Sequence, residues 1–219
     1  MNPLQFAAQP GRPPTILFLG AHCDDIEIGC GGTILRLRES VPDAEIRWLI
    51  FSSNEVRRRE AIESALRFLG EGSEDSIRIE SFRDGFLPYS GGAVKEVFED
   101  FKREVSPDLI FTHHRHDLHQ DHRLVNELTW NTWRNHTILE YEIPKYDGDL
   151  GQPNTFVPLS GEQVERKIKT VLEVFGSQTS KDWFDADTLG AIMRLRGVES
   201  NAPERYAEAF YARKLVLDL

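Results

Sequence analysis

The chain has 219 residues, of which 40% are hydrophobic and 28% are charged, and its formal net charge is -10 at pH 7. This length and composition predict one soluble globular domain, and the negative charge argues against nucleic acid or an anionic membrane as the main partner. No apolar run approaches the ~18 residues that a membrane-spanning helix needs, so we expect no membrane span.

The cysteines and the N-terminal segment favour a cytoplasmic protein. Cys23 and Cys30 lie in one short stretch and do not form the disulfide framework of a small secreted domain. The first residues lack a charged region followed by an apolar run, so they do not resemble a signal peptide. We expect residues 1–14 to be an extended leader and residues 1–219 to form a single domain. The sequence carries no signal for the oligomeric state, and a homo-oligomer is left open.

Short apolar runs alternate with helical patterns along the chain, which is typical of βαβ units and a parallel sheet. The predicted strands are 15–19, 45–51, 76–81, 109–112 and 138–143. The predicted helices are 33–39, 55–69, 93–105, 122–134, 161–175 and 187–195. The segment 146–158 has no clear period, so we interpret it as a loop long enough to be functional. An apolar segment at 206–212 is left without an assigned type.

A polar stretch, A-H-C-D-D-I-E-I-G-C-G-G-T, occupies residues 21–33, just after the first predicted strand. The adjacent carboxylates of Asp24 and Asp25 repel each other, and such repulsion is tolerated where solvent, a cation or a bound proton relieves it. The three glycines do not form a nucleotide-binding loop, because their spacing is not G-x-G-x-x-G and no lysine follows. We expect them to let the backbone approach the site and to start the next helix, with Thr33 as its N-cap.

A second cluster, H-H-R-H-D-L-H-Q-D-H, occupies residues 113–122 and holds five of the seven histidines. It also follows a predicted strand, and in open α/β sheets ligands bind outside the carboxyl ends of the strands. We therefore expect both clusters to meet at the same edge of the sheet. Three positions are left open for His113, His114 and His116. These residues either support the site from behind, line its entrance or lie on the plain surface.

The two clusters together offer the ligands of a catalytic metal. Two imidazoles and a carboxylate, here His22, His122 and Asp25, are a common set for Zn²⁺ with an open position, and they also suit Fe(II) or another divalent cation. Asp24 would then be free of the metal, and a free carboxylate beside a metal-activated water is a general base. Either cluster alone also fits a solvated histidine patch, because single motifs match often by chance.

These clusters resemble the paired signatures of the LmbE-like, or PIG-L-like, zinc-dependent N-deacetylases. The first resembles the family's A-H-P-D-D-E type of signature, and H-Q-D-H at 119–122 resembles its H-x-D-H at the start of a helix. The segment R-R-E-A-I-E-S-A-L-R-F-L-G, 58–70, resembles the arginine–glutamate helix between them. The pieces S-Q, Arg196-Gly197 and Y-A-E-A-F resemble the C-terminal part, so the likeness covers nearly the whole chain.

The resemblance implies an α/β, Rossmann-like three-layer sandwich with a mostly parallel sheet, and hydrolysis of an N-acyl group, usually the acetyl of an amino sugar. The ligands it implies for one Zn²⁺ per chain are His22, Asp25 and His122. It implies Asp24 as general base and then general acid, and His119 as the group that stabilises the oxyanion. Asp121 would orient His119 or a neighbour.

Two positions depart from the family pattern. Cys23 stands where the family has proline, and Ile26 stands where it often has glutamate. We expect a spectator thiol at Cys23, because coordination by this residue would close the open position of the metal. The change at Ile26 is expected to be harmless, since Glu27 follows.

Three side chains are candidates for substrate binding. Either Arg57 or Arg58 could reach substrate hydroxyls or a phosphate, although a solvated helix face is the alternative for both. Asp84 follows the third strand and either hydrogen-bonds a sugar or makes an Asp-Gly turn.

We therefore expect a cytoplasmic zinc-dependent N-deacetylase that acts on a small N-acetylated amino sugar or its conjugate. One alternative is an amidase that cleaves another acyl group from a thiol-sugar conjugate or an antibiotic intermediate. The other is a non-catalytic module that binds a metal or a nucleotide sugar.

Overall fold

In the computed structural model, which describes residues 11–216, a central sheet is flanked by six α-helices. The strands are β1 (Thr15–Gly20), β2 (Glu45–Ser52), β3 (Ile77–Phe82), β4 (Leu109–His113), β5 (Thr137–Tyr141), β6 (Thr155–Leu159) and β7 (Tyr206–Ala212). The helices are α1 (Asp25–Ser40), α2 (Glu55–Leu69), α3 (Gly91–Glu104), α4 (Gln120–Thr132), α5 (Gly161–Val174) and α6 (Ala186–Glu199). No helix of the described residues is long and apolar enough to cross a membrane.

The sheet has the strand order β3-β2-β1-β4-β5-β7-β6. Strands β1 to β5 run parallel to one another, whereas β7 pairs antiparallel with both β5 and β6. The order 3-2-1-4-5 of the parallel strands is Rossmann-like, with β1 and β4 adjacent at the point where the strand order reverses. The predicted α/β fold with a mostly parallel sheet is confirmed.

The burial of strand β1 shows that the sheet is the middle of three layers. All six residues of this strand are buried. Ile16 and Phe18 pack into one hydrophobic cluster, which also contains side chains of α1, α2 and α5. Leu17 and Leu19 pack into a second cluster with side chains of α3 and α4. Successive side chains of a strand point to opposite faces, so the continuous apolar run reports a strand covered by helices on both sides.

Helix α1 begins at Asp25, so the prediction that it starts at residue 33 with Thr33 as N-cap is wrong. The N-cap position belongs to Asp24, and the three glycines of the first cluster lie inside the helix. A Cβ atom on Gly29 would overlap the ring of Tyr141, and one on Gly32 would overlap Leu159. The glycines weaken the intrinsic helix preference, but they allow α1 to lie close against β5 and β6.

Side chains from two other elements form hydrogen bonds with the backbone of α1. Glu208 of β7 accepts from the amides of Gly32 and Thr33, at 2.8 and 2.6 Å. Lys167 of α5 donates to the carbonyl of Ile28, which a regular helix would pair with Gly32, and also to Glu208 at 2.6 Å. Both charged side chains are buried, so each depends on the other and on the helix backbone.

The expected loop at 146–158 is partly wrong, because Thr155–Leu159 forms the edge strand β6. This strand is short and contains Pro158, which is tolerated at a sheet edge but weakens the strand signal in the sequence. The apolar segment 206–212 is the antiparallel strand β7. Of the expected leader, residues 11–14 precede β1 and residues 1–10 lie outside the described part of the chain.

Candidate metal centre

The two polar clusters meet where the strand order reverses. The first cluster leaves the carboxyl end of β1 and the second leaves the carboxyl end of the adjacent β4. This crevice is the usual ligand site of open α/β sheets. His22 and His122 are 100 positions apart in the chain, yet His22 Nδ1 lies 3.2 Å from His122 Nε2.

The spacing of the three predicted ligands fits a tetrahedral cation. Asp25 Oδ2 lies 3.3 Å from His22 Nδ1, and Asp25 Oδ1 lies 3.5 Å from His122 Nε2. Nitrogen and oxygen ligands about 2.0–2.1 Å from Zn²⁺, at tetrahedral angles, lie about 3.3–3.4 Å from one another. The separation of 3.2 Å between the two imidazole nitrogens is close to this requirement, and each nitrogen lies 3.3 or 3.5 Å from a different oxygen of the Asp25 carboxylate.

Hydrogen bonds behind the two imidazoles fix which nitrogens face the centre. His122 Nδ1 lies 2.9 Å from the Asp117 carboxylate, so this nitrogen carries the proton and Nε2 presents its lone pair. His22 Nε2 contacts Asp84 at 3.1 Å and Asp121 at 3.3 Å, which leaves Nδ1 free in the same way. In the neutral form of His22, two lone pairs face each other next to the Asp25 carboxylate, and a cation between them would relieve the repulsion.

Three other trios of ligand-type side chains also have atoms within 4.8 Å of one another: His22–His119–His122, Asp25–His113–His122 and His22–Asp84–Asp121. His113 Nε2 accepts a hydrogen bond from the amide of Ala21 at 2.9 Å, so its lone pair is occupied. His119 Nδ1 accepts from the amide of Asp121 at 3.2 Å. These contacts favour His22, Asp25 and His122 as the set that holds a metal.

The charges around the centre also favour a cation. Burial lowers the pKa of His122 to about 3, and the neighbouring His113 adds to this effect, so the imidazole is neutral. Burial likewise lowers the pKa of His22, but Asp25 and Asp121 outweigh it and raise that pKa well above the usual value. The carboxylates thus hold a positive charge at His22, and a bound metal ion would supply that charge instead.

Asp24 lies at the N-cap of α1, directly before the candidate ligand Asp25. Its Oδ1 forms an ion pair with the guanidinium of Arg57, which extends from the first turn of α2. Both side chains are largely buried, with exposures of 5% and 13%. Arg57 therefore holds the charged carboxylate in one orientation beside the centre.

His119 occupies the N-cap of α4, and its ring packs edge-on against His22 with centroids 4.8 Å apart. Since Nδ1 accepts a backbone hydrogen bond, the neutral ring carries its proton on Nε2. Burial, with a contribution from His22, lowers the pKa of His119 and keeps the ring neutral. The ring is thus a fixed hydrogen-bond donor beside the candidate metal ligands.

Asp121 joins the centre to the segment that follows β3. Its carboxylate accepts from the amide of Gly85 at 2.7 Å and from the amide of Leu87 at 3.1 Å, and it also contacts His22. The carboxylate thus orients His22 and the segment at 85–87. Asp84 precedes that segment, is 67% exposed, and points one carboxylate oxygen at His22.

The remaining candidate side chains, those of Arg58 and Cys23, form hydrogen bonds with backbone carbonyl groups. Arg58 donates to the backbone carbonyl of Ile79 rather than to a group of the centre. The Cys23 thiol is fully buried and donates to the carbonyl of Ser52 at 3.4 Å. Burial raises the pKa of this thiol to about 12, so the thiolate form that binds metals is disfavoured.

Sequence reasoning missed Asp117 and Lys145 and left His113 open. Asp117 orients His122, and Lys145 in turn contacts Asp117. His113 lies under the centre, stacked on His122 with centroids 3.9 Å apart. A carboxylate is the usual partner of a metal-bound histidine, so Asp117, five residues before His122, could have been selected on that ground. Lys145 comes close to Asp117 only through the tertiary structure, and no local sequence pattern marks it as a site residue.

A cavity of about 700 Å³ opens beside the centre. Its lining residues are Asn54, Glu55, Val56, Arg57, Asp84, Ser177, Gln178 and Lys181. Arg57 Nε and Gln178 Oε1 are buried and have no hydrogen-bond partner among the described residues. One is a donor and the other an acceptor, and both belong to side chains of the polar cavity wall.

Comparison with known proteins finds a matching family and a similar deacetylase. The PIG-L family, described as GlcNAc-PI de-N-acetylase, matches residues 17–133. The uncharacterized deacetylase YaiS of Escherichia coli (strain K12) is 31% identical over 139 residues, which are 59% of this chain and 74% of YaiS.

Two solved structures share the fold. N,N'-diacetylchitobiose deacetylase from Pyrococcus horikoshii, complexed with its inhibitor MPG, is 23% identical with a TM-score of 0.68, over 90% of this chain and 82% of that chain. GalB, the 4-carboxy-2-hydroxymuconate hydratase from Pseudomonas putida KT2440, is 16% identical with a TM-score of 0.70. The match covers 94% of this chain and 99% of GalB. At these identities the likeness concerns the fold alone.

The family match covers more than half of the chain and includes both polar clusters. The similarity to YaiS covers about three quarters of that deacetylase. Together with the geometry of the centre, these matches agree with the motifs at 21–33 and 119–122. The chain therefore belongs to the PIG-L, or LmbE-like, family of de-N-acetylases.

Proposed function

We propose that the protein is a metal-dependent N-deacetylase that removes the acetyl group from a small amino sugar or amino-sugar conjugate, with Zn²⁺ as its metal. The observation that carries the proposal is the convergence of two imidazole lone pairs and one carboxylate at 3.2 to 3.5 Å, next to a second carboxylate held by Arg57. A binding site alone has no need of the second carboxylate.

In this proposal His22, Asp25 and His122 hold the cation. When bound, the divalent cation supplies Lewis-acid polarisation of the amide carbonyl and lowers the pKa of a water molecule. Asp24 accepts the proton of the attacking water as the new bond to the acyl carbon forms. Arg57 orients Asp24 through their ion pair.

His119 and Asp24 then complete the hydrolysis. His119 donates its Nε2 proton in a hydrogen bond to the oxyanion that develops on the acyl oxygen. Asp24 returns the proton to the leaving nitrogen as the C–N bond breaks. The products are the free amine and acetate, so the water is consumed and Asp24 is regenerated. Asp121 keeps the His22 ring in orientation through their contact at 3.3 Å.

The cavity beside the centre supports a hydroxyl-rich substrate. Its volume lies within the ~300–1,000 Å³ of common ligand sites. A sugar hydroxyl both donates and accepts, and so it suits a wall that carries the polar side chains of Arg57, Asp84 and Gln178. We propose that Arg57 and Asp84 contact the sugar, with Arg58 as the less favoured candidate because it bonds to Ile79.

The experiment is amine and acetate release from a panel of sugars. The panel contains N-acetylglucosamine, N,N'-diacetylchitobiose, an N-acetylglucosaminyl thioglycoside and a butyryl analogue. We expect Zn²⁺ or Co²⁺ protein to release acetate from at least one N-acetyl sugar, and chelation to abolish this release. Full activity in verified metal-free protein would contradict the metal mechanism. Neighbouring variants provide a matched pair: Arg57→Gln should lower kcat/KM strongly, whereas Arg58→Gln should not.

The panel also separates the alternatives. Release of the butyryl group without release of acetate from any N-acetyl sugar would favour the amidase. Metal binding without release of any acyl group would favour a binding module or, as GalB shows for this fold, a different reaction. A cytoplasmic location is part of the proposal, supported by the two free, buried cysteines.

A further inference from the structure

We infer that Lys145 is a positioning residue of the metal centre, which it reaches through Asp117 and His122; this inference rests on the metal site of the proposed function. Lys145 Nζ lies 3.0 Å from Asp117 Oδ2, and the same oxygen lies 2.9 Å from His122 Nδ1. A chain of two contacts therefore connects the ammonium group to the imidazole whose other nitrogen faces the centre.

The ammonium group of Lys145 bridges two carboxylates. It lies 2.5 Å from Asp149 Oδ2 as well as 3.0 Å from Asp117. The exposures of the three side chains are only 9% for Lys145, 3% for Asp117 and 6% for Asp149. Without the ammonium, two buried carboxylates would be left without this compensation, so their positions depend on Lys145.

Both carboxylates also hold the backbone of the second polar cluster. Asp117 Oδ1 accepts from the amide of His119 at 2.8 Å, and Asp149 Oδ2 accepts from the amide of Leu118 at 2.7 Å. The turn that carries His119 and His122 is thus fixed from one side by Asp117 and from the other by Asp149. Lys145 holds these two carboxylates together.

Lys145 lies in the segment 142–154, which connects β5 to β6. This segment is anchored at its start by the ion pair of Glu142 with Arg196, and near its end by Arg196 to the carbonyl of Gly151 at 3.1 Å. Between these anchors, Lys145 makes the contact with the metal centre. Within this segment, Lys145 contacts the carboxylate that orients His122, whereas Asp149 contacts the backbone at Leu118.

The consequence is a specific effect on metal affinity. The Asp117 carboxylate keeps the proton of His122 on Nδ1 and so keeps the Nε2 lone pair available. Removal of a partner behind a metal-bound histidine commonly weakens metal binding by about 10–100-fold. Lys145 acts one contact further out, so we expect its loss to weaken binding by about tenfold, the lower end of this range.

The test measures Co²⁺ affinity by competition with a chelator, and the d–d absorption bands of the Co²⁺ protein. We expect Lys145→Gln to raise the Co²⁺ dissociation constant about tenfold and to shift the bands, and Lys145→Arg to restore most of the affinity. Lys95→Gln is the matched control, because Lys95 also bridges two side chains, Glu99 and Thr132, away from the centre. Unchanged affinity and bands in folded Lys145→Gln would overturn the inference.

Asp149→Asn separates the contact with Asp117 from the general order of the segment. This change keeps the ammonium on Asp117, so Co²⁺ affinity should stay near that of the wild type. A loss as large as that of Lys145→Gln would show that the segment, and not the Lys145–Asp117 contact, governs affinity. The same variant carries the test if Lys145→Gln does not fold.

The wild-type protein distinguishes this inference from the proposed function. If the wild type binds neither Co²⁺ nor Zn²⁺, the proposed metal mechanism fails and the inference fails with it. If the wild type binds metal and releases acetate while Lys145→Gln binds metal equally well, the role of Lys145 alone is refuted.

Discussion

The substitution Asp24→Asn separates catalysis from metal binding at this centre. Asparagine keeps the size of the side chain and an oxygen acceptor for Arg57, but it cannot accept the proton of the attacking water. Loss of a general acid–base group commonly lowers kcat by about 10²–10⁴-fold, which corresponds to about 3–5 kcal/mol in the activation barrier. We expect a loss in this range with nearly unchanged metal content and KM.

The structure also sets the expected change in stability. Asp24 and Arg57 form one buried ion pair, and a hydrogen bond to a charged group contributes about 1.5–3 kcal/mol. Asparagine retains part of this bond, so the free energy of unfolding should fall by less than about 3 kcal/mol. For a domain of this size, each kcal/mol lowers Tm by about 2–4 °C, and the folded variant should remain easy to purify.

The assay measures zinc content and turnover side by side for Asp24→Asn and Asp25→Ala. Asp25 lies 3.3 and 3.5 Å from the two ligand nitrogens, so its loss should weaken metal binding, and added metal should restore some activity. Added metal should not restore Asp24→Asn. A metal-free Asp24→Asn beside a metal-replete Asp25→Ala would reverse the two roles. Normal turnover in both variants would place the reaction elsewhere.

Three further substitutions address single contacts. His119→Ala should lower kcat by about 10²–10³-fold, as for loss of one oxyanion donor, while metal stays bound; an unchanged kcat would remove His119 from the mechanism. Cys23→Ser should keep the metal and most of the activity, because the thiol bonds to the backbone in the core, and metal loss on this change alone would show coordination by Cys23. Gly29→Ala should lower the free energy of unfolding by about 1–3 kcal/mol in denaturant titrations, because its methyl group would overlap the Tyr141 ring. A variant as stable as the wild type would show that α1 can move away from β5.

The sequence predicted the parallel part of the fold because each buried strand forms a continuous apolar run that ends in polar residues. The same rule brought His22 and His122 to one edge of the sheet. It failed for α1, where Gly29 and Gly32 reduce the helix signal and the reason for them lies on β5 and β6. The rule also failed for Thr155–Leu159, because this edge strand is short and contains a proline.

The supporting residues of the centre were harder to predict. Lys145 and Asp117 are 28 positions apart, and no period or spacing relates them. Their contact exists only because β4 and β5 are neighbours and their following segments meet. Local patterns identified the candidate metal ligands, whereas the groups that orient them depend on which strands become adjacent.

The contacts of Glu208 with the backbone of α1 have a consequence for the order of folding. The carboxylate that receives the amides of Gly32 and Thr33 belongs to Glu208, which is 176 positions from Gly32 in the chain. A growing chain on the ribosome therefore presents α1 long before its hydrogen-bond partners exist. The helix that begins with Asp25 gains its contacts with Glu208 only when β7, the last strand of the described residues, has been synthesised and has paired with β5. Closure of so long a loop is slow, so the metal centre should form late in folding.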